Sequence, residues 1–249
     1  MSALTDYERE RYKRQIMMDG WGVEGQEKLK NASAMVTRIG GLGGPAALWL
    51  ALGGIGKLVL AHGGELTLSN MNRQNLMSHD GVGKLRMPQA REAIVRVNPQ
   101  VEIVAVAEEV NEENVENLVK QADVVLDCPP TFEERFLLNK ACVALGKPMV
   151  EAAMNGSEFH LTTLVPGRTP CLACLYPDNP DWHIPFPVVG AVSGAAGCLA
   201  AMEAMKVIVG FGQPLYGRML VMDTATMESH KFRVAREPGC PVCGHLGRD

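Results

Sequence analysis

A glycine-rich segment between an apolar run and a helix-like stretch most constrains the fold of this 249-residue chain. The apolar run covers residues 33–39 (SAMVTRI), the glycines follow in the segment Gly40-Gly41-Leu42-Gly43-Gly44, and the helix-like stretch reads AALWLALGGIG. A second short apolar run, Lys57 to Ala61, comes directly after it. This order predicts a β-turn-α-β unit, which is the opening of a doubly wound parallel sheet.

The same alternation of strands and helices continues as far as residue 153. Helices are predicted over 88–97, 112–121 and 133–145, and strands over 101–106, 123–127 and 149–153. After this point strands over 158–165, 218–223 and 230–234 suit an antiparallel extension, and small apolar residues over 189–209 predict a buried core helix. We therefore expect an α/β fold with a Rossmann-like doubly wound, mainly parallel sheet and an antiparallel C-terminal extension.

The composition excludes several classes of protein. Charged residues make up 21% of the chain and the formal net charge is -4, whereas a general nucleic-acid binder carries a basic face. The sequence contains no run of about 18 apolar residues, so no membrane span is expected. The charged start MSALTDYERERYKRQ lacks the apolar core of a secretory signal. We expect a cytoplasmic protein with no nucleic-acid or membrane partner.

Four of the seven cysteines form two CxxC pairs, Cys171-Leu-Ala-Cys174 and Cys240-Pro-Val-Cys243. Two thiolates at that spacing can bind one metal ion, and two such pairs complete a closed tetrahedral shell. A closed shell leaves no position for a reacting water, so the sequence predicts a structural zinc site.

The sequence gives no sign of a domain boundary. No internal repeat and no low-complexity linker divides residues 1–249, so we predict a single nucleotide-binding domain. It begins with a helical arm, residues 1–30, and ends with a zinc-stapled part, residues 157–249.

The glycine-rich segment also predicts an anion site, because a tight turn before a helix lets phosphate oxygens approach backbone N–H groups. Taken by themselves, the glycines are equally consistent with a tight turn that binds no ligand. The polar segment Ser69-Asn-Met-Asn-Arg73-Gln74, just beyond the second strand, favours the ligand-binding interpretation.

Several motifs in order along the chain resemble one family. They are Arg11-Tyr-Lys-Arg-Gln-Ile16, Gly40-Gly-Leu-Gly43, the segment from Ser69 to Gln74, Asn98-Pro99 and the two CxxC pairs. Together they resemble the ubiquitin-activating-enzyme-like family of ThiF, MoeB and HesA over nearly the whole chain. Arg38-Ile-Gly-Gly-Leu-Gly-Gly, His62-Gly-Gly-Glu65 and Pro148-Met-Val-Glu-Ala-Ala153 resemble the HesA branch most, which is associated with nitrogen-fixation gene clusters.

The resemblance implies a homodimer that uses ATP and Mg²⁺ to adenylate the C-terminal carboxylate of a ubiquitin-like sulfur carrier. It implies catalytic roles for Arg73 and Arg86, which would hold the phosphates, and for Arg14, which would reach into the partner subunit's site. The further nucleotide contacts that it implies are Gly40, Gly41, Gly43, His62, Ser69, Asn70, Asn72, Gln74 and Asp127.

Four positions depart from the family pattern. Arg38 stands where the family has the first glycine of its loop, and His62 replaces the acidic residue that would bind the ribose hydroxyls. Arg86 replaces a lysine, which keeps the charge and changes its geometry. The Mg²⁺-binding aspartate falls on Pro130, which leaves Asp127 as a substitute oxygen donor near that strand end, beside Glu133 and Glu134.

Three functions therefore stand side by side. The first is adenylyl transfer to a ubiquitin-like carrier. The second is an ATP-binding factor for nitrogenase molybdenum-cofactor assembly, in which spare cations at Arg38, Arg73 and Arg86 would hold molybdate. The third is a catalytically degenerate dimeric interaction module, for which Pro130 is the motive.

Overall fold

The computed structural model describes residues 2–178, 180 and 184–247. All eight of the strands that it describes form one sheet in the order β3-β2-β1-β4-β5-β6-β7-β8. Their bounds are β1 Ser33–Thr37, β2 Lys57–Ala61, β3 Glu102–Val106, β4 Val124–Asp127, β5 Met149–Asn155, β6 Glu158–Leu164, β7 Arg218–Asp223 and β8 Glu228–Arg233. Strands β1 to β5 pair in parallel, and β6, β7 and β8 pair antiparallel. The predicted fold class is confirmed.

Helices cover both faces of the parallel part of the sheet. Their bounds are α1 Asp6–Arg11, α2 Lys13–Ile16, α3 Gly22–Lys30, α4 Gly43–Gly53, α5 Arg86–Val97, α6 Val115–Val119, α7 Phe132–Leu145, α8 Leu172–Leu175 and α9 Gly190–Val209. Leu50 of α4, Ile94 of α5 and Ala200 of α9 belong to one apolar core, whereas Val119 of α6 and Leu138 of α7 belong to the core on the other face. Because both faces are covered, β1 and β4 are buried almost throughout and have continuous apolar sequences.

Helix α9 is the one described helix that is long and apolar enough to cross a membrane by length and composition. It packs against α4 and against strands β4, β5 and β6, and its small residues allow this close approach. An added Cβ at Gly197, for instance, would lie 2.2 Å from the carbonyl oxygen of Leu42. The helix therefore contributes to the core, as the sequence predicted.

The N-terminal helices α1 to α3 pack against one another, α3 packs against α9, and side-chain hydrogen bonds join the first two to the end of α5. The Arg11 Nη2 donates to the Val97 carbonyl at 2.6 Å, and the Asn98 side chain donates to the Tyr12 hydroxyl at 2.9 Å. Arg14, in α2, is exposed to solvent.

The strand order reverses between β1 and β4, since the chain continues from β1 to one side through β2 and β3 and to the other side through β4 and β5. In open α/β sheets the crevice at such a switch point, outside the carboxyl ends of the strands, is where ligands bind. Here the glycine-rich segment follows β1 and the Cys128-Pro129-Pro130 segment follows β4, so the two segments face this crevice.

Candidate functional site

A cavity of about 680 Å³ opens at the switch point of the sheet. The sequence-predicted residues that line it are Gly40, Gly41, His62, Asn70, Arg73, Gln74 and Arg86. They come from the segment after β1 and from the chain between the end of β2 and the first residue of α5, which are separate in the sequence and adjacent in the fold. The cavity extends past Pro129 and Pro130 to a second region lined by Arg135, His160 and Tyr176.

The glycine-rich segment is shaped by close contacts. A Cβ on Gly41 would lie 2.8 Å from Ser193 Oγ and 3.0 Å from Arg73 Cγ, so the cavity wall has no room for a side chain there. Gly43 does not line the cavity. It begins α4, where a Cβ would lie 2.5 Å from the Arg38 carbonyl oxygen, so this glycine allows the tight turn that aims the helix at the cavity.

Arg73 and Arg86 are the two cations of the cavity whose charge is not compensated by a carboxylate in direct contact, among the residues that the structure describes. The Arg73 Nη1 donates to the Ser69 carbonyl and to Asn72 Oδ1, and Arg86 donates to the Gly63 carbonyl and to Asn70 Oδ1. Ser69 and Asn72 therefore orient Arg73 rather than line the cavity. Burial lowers the pKa of both arginines, and the nearby Arg38 and Arg73 lower that of Arg86 further. A bound anion would relieve this repulsion.

His62 and Gln74 each present an unsatisfied polar atom at this end of the cavity. Both side chains are more than nine-tenths buried, and neither His62 Nδ1 nor Gln74 Oε1 has a hydrogen-bond partner within the described chain. Burial and then the charges of Arg86 and Arg38 lower the pKa of His62 to about 3, so the ring is neutral. The carboxylate that the family resemblance implies for the ribose is thus replaced by a neutral side chain whose Nδ1 is buried and has no hydrogen-bond partner.

Arg38 is not a spare cation, so this part of the sequence interpretation is wrong. Its Nη1 lies 2.5 Å from Glu109 Oε1 and its Nε 2.6 Å from Glu134 Oε2, and these two carboxylates outweigh burial and raise the pKa of Arg38. The residue also has a φ of 53°, in the left-handed region where glycine is favoured. The two ion pairs hold a conformation that a glycine would adopt without strain.

Asp127 does not line the cavity, contrary to expectation, because it is completely buried behind Arg135. The Arg135 Nη1 lies 3.0 Å from Asp127 Oδ2 and 3.2 Å from Glu151 Oε1. Burial raises the pKa of Asp127 to about 7, which Arg135 only partly offsets. The same Glu151 oxygen lies 3.0 Å from His160 Nε2, and this contact helps to raise the pKa of His160.

Except for Asp127, the residues of this buried network were missed by the sequence analysis. One signal was available: Glu151 lies inside an otherwise apolar buried strand, and a fully buried carboxylate requires a cationic partner. That partner, Arg135, and the cavity-lining Tyr176, which lies 3.0 Å from His160, could be found only from the fold.

Mg²⁺ does not fit the donors that the cavity offers. Pro130 has no side-chain oxygen, Asp127 and Glu134 do not line the cavity, Glu109 is paired with Arg38, and Glu158 lies on β6, three strands from β1. No step of the chemistry is therefore assigned to this ion.

The four CxxC cysteines do meet, as predicted. Their ligand atoms all lie within 4.8 Å of one another, with sulfur–sulfur distances of 3.5 Å for Cys174–Cys243, 3.7 Å for Cys171–Cys240 and 3.9 Å for Cys171–Cys174. A tetrahedral zinc with Zn–S bonds of about 2.3 Å requires sulfurs about 3.8 Å apart. The residues fit zinc in a closed shell, and none of the four lines the cavity.

Comparison with known proteins identifies the family. The ThiF family model matches residues 12–242. The chain is 52% identical to protein HesA of Leptolyngbya boryana over 246 residues, which cover 98% of this chain and 89% of that protein. It is 38% identical to the adenylyltransferase and sulfurtransferase MOCS3 of Drosophila ananassae, over 96% of this chain and 54% of that protein. The crystal structure of E. coli MccB with ATP shares the fold, with a TM-score of 0.82 at 24% identity, covering 96% of this chain and 75% of that chain. The chain belongs to the ThiF family.

Proposed function

We propose that this chain binds ATP in the cavity and adenylates the C-terminal carboxylate of a small ubiquitin-like sulfur-carrier protein in the cytoplasm. A carboxylate oxygen of the carrier would attack the α-phosphorus of ATP, the bond to the leaving pyrophosphate would break, and an acyl adenylate would remain. The relatives with printed activities support the reaction class, since MOCS3 is an adenylyltransferase.

The observation that carries this proposal is the pair of uncompensated guanidinium groups beside the glycine-rich segment. Arg73 and Arg86 face a cavity that begins at the N-terminus of α4. The two guanidinium groups and the helix N-terminus all favour negative charge at that point. The second region of the cavity, beyond Pro129 and Pro130, leaves room for the carboxylate of an acceptor.

Carrier-dependent exchange of labelled pyrophosphate into ATP tests the reaction. Arg73→Ala is expected to lower the exchange rate by about 100-fold, the effect of removing one preorganised charge stabiliser. Arg91→Ala is the matched control, because Arg91 is an exposed arginine of α5 that does not line the cavity. Absence of exchange with every ubiquitin-like carrier tried would reject adenylyl transfer.

The proposed assembly is a homodimer in which Arg14 serves the partner's cavity. In support, Arg14 is exposed and does not line the cavity of its own chain. If so, Arg14→Ala and Arg73→Ala each have a strongly reduced exchange rate alone, and mixing them restores part of the exchange activity, because a mixed dimer holds one intact cavity. Light scattering that gives a monomer at working concentration would contradict the dimer.

A second candidate function is that of an ATP-binding factor that handles molybdate for nitrogenase cofactor assembly. It is favoured by the same two guanidinium groups, which would suit a tetrahedral oxyanion as well as a phosphate. Calorimetry with molybdate, with and without ATP, separates the two: saturable heat that Arg86→Ala removes favours this candidate, and no heat rejects it. Absence of both ATP binding and exchange would leave the interaction module as the remaining function.

A further inference from the structure

The acidic side chains around the cavity are all placed where they cannot serve a phosphate-bound metal ion. Divalent cations that bridge phosphates take carboxylates and other hard oxygen ligands. The described carboxylates that line the cavity are Glu109 and Glu158, and Asp127, Glu134 and Glu151 lie behind its wall. Each position can be followed through its contacts.

On the β1 side, the carboxylates of Glu109 and Glu134 form ion pairs with Arg38. It joins Glu109 at the cavity to Glu134 in the interior, with atoms 2.5 and 2.6 Å apart. Because the Arg38 side chain is mostly buried, withdrawing either carboxylate toward a metal would cost it one of its two ion pairs in a poorly solvated position.

On the β4 side, Arg135 does the same. It contacts Asp127 and Glu151, and its Nε donates a hydrogen bond to the Pro129 carbonyl oxygen at 2.9 Å. The next residue, Pro130, lines the cavity and brings neither a carboxylate nor an N–H group. The position closest to the family's metal ligand is therefore apolar.

Glu158 begins β6, which is separated from β1 and the two arginines by strands β4 and β5. Three strand spacings separate β6 from β1, which amounts to about 14 Å at the usual distance between neighbouring strands. This is too far for one carboxylate to share a cation with phosphates that lie at the N-terminus of α4.

We propose that this site binds its nucleotide as the metal-free anion, with the guanidinium groups of Arg73 and Arg86 in place of a divalent cation. The proposal rests on nucleotide binding as proposed above and not on adenylyl transfer. Mg²⁺ bound to ATP withdraws negative charge from the same phosphate oxygens that the two arginines would neutralise, so the ion competes with the site instead of completing it.

Calorimetric titration with ATP tests the proposal on the zinc-loaded protein, in buffer freed of Mg²⁺ by a chelating resin and in the same buffer with excess Mg²⁺. The resin removes Mg²⁺ without a soluble chelator that would take the zinc. We expect the affinity without Mg²⁺ to equal or exceed the affinity with it. A loss of about tenfold or more without Mg²⁺, equivalent to about 1.4 kcal/mol, overturns the proposal, as does an absence of binding without Mg²⁺.

Position 130 supplies a gain-of-function variant and its matched control. Pro130→Asp places a carboxylate on the cavity wall, so Mg²⁺ should tighten ATP binding of this variant by about tenfold. Pro130→Ala removes the ring without adding a ligand and should stay independent of Mg²⁺. A folded Pro130→Asp protein with no response to Mg²⁺ overturns the assignment, and if that variant does not fold the two wild-type titrations still decide.

The pyrophosphate-exchange assay separates this inference from the proposed function. Tight ATP binding without Mg²⁺ but without exchange rejects adenylyl transfer and leaves metal-free binding intact. Exchange that requires Mg²⁺ for ATP to bind rejects metal-free binding and leaves adenylyl transfer intact.

Discussion

Gly41 offers the sharpest test of the cavity geometry, because its neighbour Gly40 is a control in the same loop. Neither glycine has a positive φ, so alanine is compatible with the backbone at both positions. A Cβ at Gly41 would lie 2.8 Å from Ser193 Oγ and 3.0 Å from Arg73 Cγ, whereas a Cβ at Gly40 would lie 3.5 Å from Gln74 Nε2, an ordinary contact. Only Gly41→Ala forces its neighbours to move, because both the Ser193 hydroxyl and the Arg73 side chain must turn away from the new methyl group.

The magnitude follows from the cost of overpacking, about 1–3 kcal/mol for an added methyl group in a filled space. In the free protein the Ser193 hydroxyl can rotate and Arg73 can turn away, which avoids most of this cost. In the nucleotide complex Arg73 must return, so the cost falls on binding and weakens ATP affinity by about 5- to 150-fold. The free energy of unfolding should change by less than about 1 kcal/mol, since the strain is relieved in the free state.

Calorimetry with ATP and urea unfolding of the same preparations measure the two quantities. We expect Gly41→Ala to lose at least about tenfold more affinity than Gly40→Ala. Equal affinities of the two variants would refute the idea that the phosphates lie against Arg73 beside Gly41. A large loss of stability in Gly41→Ala alone would show that the strain is not relieved by Arg73.

Three further changes test the charge network and the metal site. The pKa of Asp127 is raised from 3.8 to about 7 in the folded chain, so the native state holds a proton that the unfolded state lacks and stability falls as the pH rises across that window. Asp127→Asn should remove up to about 1.4 kcal/mol per pH unit of this slope, seen by urea unfolding at several pH values; an unchanged slope would contradict it. Arg38→Met should cost about 3–5 kcal/mol by leaving the buried Glu134 without its cation, whereas an effect below about 1 kcal/mol would mean that the pair contributes little. Cys240→Ser should lower zinc, measured by atomic absorption, from about one to below about half an atom per chain, together with the melting temperature; full zinc content would contradict a four-cysteine site.

The order of elements in the fold could be predicted from the alternation of apolar runs and helical periods. Strands β2 and β7 have the predicted bounds, and α9 begins one residue after the predicted start. Errors occur where polar side chains compete for the backbone. Helix α6 is shorter than predicted, since Asn111 and Asn114 exchange hydrogen bonds in a turn just before it.

The four-cysteine cluster and the polar loop could be predicted because each lies in a compact local motif. The ion pairs of the site could not, because they join residues that are distant in the sequence. Arg38 meets Glu134 across 96 positions, and nothing local to either residue indicates this partner. The absence of an acid at position 130 was visible in the sequence, which left Asp127 as a substitute. The structure excludes this substitute, because Asp127 is buried behind Arg135.

These contacts explain why a nearby carboxylate does not replace the one missing at position 130. A buried acid that pairs with an arginine stabilises the fold only while the pair is intact, and its departure toward a ligand would strand the arginine. Asp127 and Glu134 are both held in this way, so they are unavailable although they lie close to the cavity in the sequence and in the fold. A carboxylate at position 130 would lie on the cavity wall itself, where Asp127 and Glu134 do not. The chemistry of the site is therefore set by which acids its own arginines leave free.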